Sequence, residues 1–297
     1  MKSNNAEKLP NYGGQALIEG VLMRGKHYVV GAFRAPQGDI IIETEELEGI
    51  YQSKIAKLPL FRGLVILWDS LSLGMRFLTI SANLQAEEEE EKIEGGSLIM
   101  TLLFSLALST GLFFVLPTLI TNLIDRLFDL SNFAINIVEG LFRLFILVGY
   151  LWIIGLSKDI QRVFQYHGAE HKTINAFESG IKLTVENIKA YPLTHARCGT
   201  SFLLTLVILS ILFFSLLGPM DLITRIITRI LLVPVLAMLS YEVIRWMGNH
   251  HDNPLIHAIT VPNLLLQSLT TREPDEKQIE VALHSFNTLL SLEQQNN

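Results

Sequence analysis

The sequence predicts an α-helical membrane protein with about four transmembrane helices, a small N-terminal β-containing cytoplasmic module and an amphipathic interfacial helix. Three observations lead there. The 297 residues are 49% hydrophobic and only 18% charged, with a mean hydropathy of +0.38, too apolar for an ordinary soluble domain. Residues 97–124 carry no charge, and further apolar runs cover about 134–156, 199–218 and 226–247. Basic residues gather between the second and third of these runs, which fixes an orientation.

Taken in order, residues 1–58 form the β module. Residues 28–34 and 39–45 read as strands, with Pro36-Gln37-Gly38-Asp39 as the turn. The glycine-rich stretch from Tyr12 to Gly25 reads as tight turns in a small sheet. It lacks the spacing of a phosphate-binding loop, and Glu19 is its one candidate functional carboxylate. Residues 59–96 hold the interfacial helix and an acidic linker. Arg62, Asp69 and Arg76 recur every seven residues beside a broad apolar face, which favours a helix on the interface over a full span. The five carboxylates Glu87 to Glu91 lack calcium-loop spacing and read as a solvated run.

Transmembrane helices 1 and 2 occupy 97–156. The second carries Glu139 and Arg143 four residues apart, a pair able to neutralise itself on one helix face. A helical insert follows at 157–198, then helices 3 and 4 at 199–247. The segment 248–297 returns with an apolar stretch along the membrane and a helix whose Ile279, Leu283, Phe286 and Leu290 share one face. Four crossings put both termini and the 157–198 insert on one side. Lys158, Arg162, Lys172, Lys182, Lys189, Arg197 and Arg245 place that side in the cytoplasm, against Arg225 and Arg229 opposite. The expected location is therefore the cell membrane, multi-pass, with the bilayer as a partner. No secretory signal peptide precedes the first span, which doubles as targeting signal. The net charge of −6 argues against nucleic acid as a partner. One cysteine, Cys198, excludes an intrachain disulfide.

Chemistry concentrates in the insert. His167-Gly168-Ala169-Glu170-His171 puts two imidazoles four apart on one helical face, with a carboxylate beside them. This is the reversed form of the zinc helix in which two histidines hold the metal and a glutamate activates water. Two surface or capping histidines on a polar helix satisfy the same short pattern. Glu178 lies two turns on, and His195 and Cys198 follow in an H-x-x-C spacing, both good ligand types for a divalent ion. Topology brings Glu242 near the same face from the fourth span. The candidate metal ligands are thus His167, His171, His195, Cys198, Glu178 and Glu242, with Glu170 as candidate general base and zinc as the expected divalent metal. Asn249-His250-His251-Asp252 reads as a solvated loop and stays outside the set.

Five separated phrases carry a resemblance over nearly the whole chain: Gly13-Gly14-Gln15-Ala16 through Glu19-Gly20-Val21-Leu22-Met23-Arg24-Gly25, Phe61-Arg62-Gly63, Gly168-Ala169-Glu170-His171-Lys172, Arg197-Cys198-Gly199-Thr200-Ser201-Phe202, and Leu269-Thr270-Thr271-Arg272-Glu273-Pro274. Together they resemble the YqhQ-like family of bacterial multi-pass membrane proteins of unknown function, some labelled metal-dependent. Three functions remain open at this stage. The first is an accessory or regulator of a transporter, translocase or quality-control machine, with a structural metal and a membrane-protein partner. The second is a metal-dependent membrane hydrolase acting on a peptide or lipid-linked ester. The third is an ion transporter lined by Glu139 and Arg143.

Overall fold

A computed structural model describes residues 12–47, 58–86, 95–195, 198–250 and 253–296. The acidic run Glu87–Glu91, together with Arg197, His251 and Asp252, lies outside the described residues. The chain opens with strands β1 (Gly13–Leu17), β2 (Gly20–Arg24), β3 (Tyr28–Arg34) and β4 (Ile40–Glu46). Helices follow: α1 (Phe61–Gln85), α2 (Gly95–Thr110), a π-helical turn (Gly111–Val115), α3 (Leu116–Phe128), α4 (Asn132–Ile154) and α5 (Lys158–Glu178). The rest are α6 (Val185–Lys189), α7 (Gly199–Ser215), α8 (Leu222–Leu231), α9 (Val233–Asn249), α10 (Pro254–Thr270) and α11 (Glu276–Gln295).

The four strands form an antiparallel meander in the order β1-β2-β3-β4. The glycine-rich stretch is therefore two paired strands and not a set of turns. Only Ile18-Glu19 turns, with Glu19 at φ 53° between the paired Leu17 and Gly20. Side chains alternate across a strand, and here both faces are buried. Val21, Met23, Val30 and Ala32 join Tyr166, Ala169, Ile279, Ala282 and Phe286 of α5 and α11. Leu22, Val29 and Phe33 join Leu73 and Phe77 of α1. The sheet thus lies between helices from the central and C-terminal segments on one side and α1 on the other. The last helix, α11, packs its apolar face on the sheet and α5. It starts at a capping box in which Asp275 and Gln278 satisfy each other's backbone N–H.

Helix α1 meets α9 at its first turn and covers the sheet from Asp69 onward. Gln15 donates to the Ser70 carbonyl at 3.0 Å and Gln85 to that of Arg34 at 2.9 Å. The seven-residue recurrence of charge on α1 now has a physical reason. Arg62 pairs with Glu242, Asp69 with Arg24 and Arg76 with Glu45, three carboxylate–cation pairs along the helix.

The remaining helices form a bundle in which α4 packs on α7, α7 on α9 and α10, and α3 on α4 and α8. Phe61–Gln85, Gly95–Phe128 and Asn132–Ile154 are long and apolar enough to cross a membrane. Leu222–Leu231 with Val233–Gly248 makes a fourth if that pair, bent by 44°, counts as one span. The set differs from expectation in two ways. Helix α1 qualifies by length and composition, because the apolar face that suggested an interface also seals the sheet. Helix α7, expected as the third span, has 17 residues, about 26 Å against a hydrocarbon core of about 30 Å. The stretch 254–270, expected to lie along the membrane, is α10 and packs against α7 and α4.

Candidate metal centre

Helix α5 begins after Ser157 and buries Tyr166, Ala169 and Ile174 against the sheet and α11. Its other side turns His167 and His171 toward the start of α7. The rings lie 4.4 Å apart between centroids. Each Nδ1 is taken by a backbone carbonyl: His167 donates to Thr270 at 2.8 Å and His171 to Leu193 at 2.5 Å. A donor role at Nδ1 leaves Nε2 as the acceptor nitrogen, the tautomer a metal-binding imidazole requires.

Cys198 caps α7. Its Sγ accepts from the Thr200 N–H at 3.3 Å and stands 3.4 Å from His167 Nε2. The positive end of the α7 dipole faces the sulfur. One ligand atom from each of His167, His171 and Cys198 falls within 4.8 Å of the others. Ordinary zinc bond lengths in a tetrahedron place N and S about 3.6 Å apart, and two N about 3.3 Å apart. The His167–Cys198 separation of 3.4 Å already comes close to this, and the remaining separations lie within 4.8 Å.

Two glycines make the arrangement possible. A Cβ on Gly168 would sit 2.2 Å from the Arg272 carbonyl oxygen and 2.8 Å from Leu193 Cδ2. Glycine there lets the 271–275 strap lie directly on α5, where the Arg272 N–H reaches the Phe164 carbonyl at 2.9 Å. Thr270, the last residue of α10, immediately precedes the strap and meets His167. A Cβ on Gly14 would sit 2.8 Å from Glu170 Cγ, so strand β1 closes over Glu170.

Glu170 is buried, with Oε2 3.5 Å from His171 Nε2. Burial pushes its carboxyl above the usual carboxylate range. His195 is close but turned away. Its ring centroid is 5.7 Å from that of His171, and its Nε2 is 3.6 Å from Glu178 Oε2. Its backbone N–H and carbonyl are both held by the Gln267 amide, at 3.0 and 2.9 Å. Glu178 therefore faces His195 at the end of α5, outside the three-donor group.

Glu242 is corrected more fully. Its carboxylate takes both the Arg62 guanidinium and the Leu60 N–H, so it closes the α1–α9 contact and not the centre. Topology reasoning cannot tell which neighbour neutralises a charged helix end.

Sequence reasoning missed the carbonyls of Leu193 and Thr270, and the fully buried Gln267, which also reaches Ser201 Oγ at 3.1 Å. It also missed the position of Lys172, whose Nζ binds Glu273 at 2.7 Å and the Lys189 carbonyl at 2.8 Å. The Thr270-Thr271-Arg272-Glu273-Pro274 phrase was the available signal, because the Thr270 carbonyl, the Arg272 N–H and the Glu273 carboxylate all reach α5. Glu19 binds Arg162 and receives the Tyr166 hydroxyl at 3.1 Å, locking the β1–β2 turn to α5. Among the bundle helices, Glu139 pairs with Arg143 and also with Arg229, each at 2.9 Å.

The fold and centre define a helical protein with membrane-length apolar helices, an antiparallel sheet and a buried His/Cys cluster. Residues 58–292 match the family model described as "Protein of unknown function (DUF1385)", and the chain belongs to that family. It is similar to the "Uncharacterized protein YqhQ" of Bacillus subtilis (strain 168), with 37% identity over 299 residues, covering 96% of this chain and 93% of that protein. No solved structure matches.

Proposed function

We propose that the chain is a multi-pass cell-membrane protein that holds one divalent transition-metal ion on His167, His171 and Cys198. Two imidazoles and a thiolate favour zinc. The ion fastens an α/β unit on the cytoplasmic face to the bundle that crosses the bilayer. That unit is the surface through which the protein acts as an accessory or regulator of a membrane partner, such as a transporter, translocase or quality-control machine.

One observation carries the reading: a nitrogen from each of His167 and His171 and the Cys198 Sγ lie within 4.8 Å of one another, and each Nδ1 is anchored by a carbonyl from another segment. The donors come from α5, which belongs to the sheet unit, and from the first residue before α7, which belongs to the bundle. A metal bound to all three couples the two parts. The test is metal content and thermal stability of detergent-purified protein, compared with His167→Ala and His171→Ala. About one zinc per chain, lost in both variants and removed by a chelator with a fall in Tm, supports the clamp. Unchanged metal content in both variants removes the ligand assignment. Crosslinking in membranes then tests the partner, and recovery of only lipid and self-contacts counts against an accessory role.

A second reading, a metal-dependent hydrolase, is favoured by Glu170. A buried carboxyl beside a three-ligand centre resembles a general base next to an open coordination position. Glu170→Gln separates the two. An enzyme loses function while keeping metal and stability; a purely structural centre keeps function as long as it keeps its fold.

A further inference from the structure

The bundle carries more buried positive charge than it neutralises. Arg143, Arg225 and Arg229 are all buried, and Glu139 is the one buried carboxylate among the described residues of α2–α4 and α7–α10. Three cations against one anion leave a surplus of two (3 − 1 = 2). The deeper two guanidiniums are held in place. Arg143 donates to Glu139, to Ser210 Oγ at 2.9 Å and to the Phe113 carbonyl at 2.9 Å. That carbonyl belongs to the π-helical turn Gly111–Val115, where backbone widening makes an oxygen available to a side chain. Arg229 donates to Glu139 and to Asn136 Oδ1, and its Cζ lies 4.0 Å over the Phe214 ring.

Arg225 differs. It sits one turn before Arg229 on the same face of α8, is 7% exposed, and its Nη1 is buried without a hydrogen-bond partner. Arg229 Nη1 is in the same state. Asp221, the nearest carboxylate along the chain, is occupied in capping α8 through the N–H groups of Ile223 and Thr224, each at 3.1 Å. Glu139 Oε2 is also without a partner, but its other oxygen fixes the two deeper guanidiniums. A buried guanidinium with free donors is costly until an acceptor of opposite charge reaches it. The planar fork of arginine suits the oxygens of a phosphate group.

We propose that Arg225 and Arg229, backed by Arg143, bind a phosphate group between α8, α4 and the π-helical turn. Arg225 lies within about one turn of the start of α8, beside the connector 216–221. A headgroup phosphate reaches the bundle at such a helix end, and so can free phosphate. The test uses the full-length protein in detergent, titrated separately with phosphatidylglycerol, a diacylglycerol of the same chains, and inorganic phosphate. Thermal stability and retained lipid are the readouts.

The wild type gains Tm with phosphatidylglycerol or with inorganic phosphate, but not with diacylglycerol. The arm that responds identifies the source of the phosphate. Arg225→Gln weakens the responding titration about tenfold, the loss expected for one charge-assisted contact. Its unliganded Tm stays at or above wild type, because the side chain of Arg225 makes no hydrogen bond or ion pair among the described residues and its Nη1 is buried without a partner. Arg225→Lys falls between the two and carries the test if the Gln variant fails to fold. Equal binding by wild type and both variants, or no response of the wild type to either phosphate source, overturns the proposal.

Discussion

Replacing Gly168 by alanine sets two physical effects against each other. By helix propensity alone, the change in the middle of α5 stabilises by about 1 kcal/mol. The structure reverses that expectation. The new Cβ would stand 2.2 Å from the Arg272 carbonyl oxygen, where approaches under 3.0 Å essentially never occur. The strap must therefore withdraw by at least 0.8 Å (3.0 − 2.2). Overpacking of this kind costs about 1–3 kcal/mol, so the net change is a destabilisation of roughly 0–2 kcal/mol. The larger effect falls on the metal. The strap leads directly from Thr270, the last residue of α10, whose carbonyl orients His167, and metal sites tolerate only about 0.2 Å in ligand distance. Loss of such an orienting contact lowers metal affinity about 10–100-fold. The assay is zinc titration and thermal unfolding of the purified variant beside Gly149→Ala in α4, where a Cβ meets nothing within 4 Å. Gly149→Ala is expected to bind zinc as the wild type does. A Gly168→Ala protein with wild-type zinc affinity and an unchanged or higher Tm would refute the reasoning.

Three further outcomes are expected. Cys198→Ser keeps the α7 cap, because a serine hydroxyl also accepts the Thr200 N–H, but loses the thiolate. Metal content should fall while the chelated protein melts within a few degrees of the chelated wild type. Glu293→Gln removes the charged acceptor of the His27 and Tyr28 N–H groups at 2.7 and 3.1 Å and of the His27 ring, costing about 1–3 kcal/mol at neutral pH in a denaturation series. Burial alone would raise the Glu293 carboxyl, but those hydrogen bonds hold it below the usual glutamate range. Its contribution is thus complete above the unfolded glutamate value and is lost as pH falls through the lowered one. The wild type should accordingly lose more stability than Glu293→Gln on acidification below about pH 4.5. Melts that run parallel with pH would contradict this.

Much of the architecture was legible because it rests on pattern. The uncharged run 97–124 became one helix from Gly95 to Phe128, and 28–34 with 39–45 became β3 and β4 within a residue. Less legible was anything decided by tertiary partners. The glycines between Tyr12 and Gly25 looked like turn residues, yet Gly14 serves a strand that presses on Glu170. The charges of α1 looked like an interfacial face, yet each answers an opposite charge on β2, β4 or α9. In the candidate centre, helical spacing brought His167 and His171 together, and the H-x-x-C phrase supplied Cys198. Spacing could not show that His195 turns to Glu178, or that Arg62 claims Glu242. Backbone carbonyls leave no trace in residue types, so Leu193 and Thr270 stayed invisible.

X-ray absorption at the zinc edge of the purified, zinc-loaded protein tests the centre most directly. The account predicts one sulfur at about 2.3 Å and two imidazole nitrogens at about 2.0–2.1 Å, with the sulfur shell gone in Cys198→Ser. A spectrum of light atoms alone in the wild type, or one unaltered by that substitution, would contradict it.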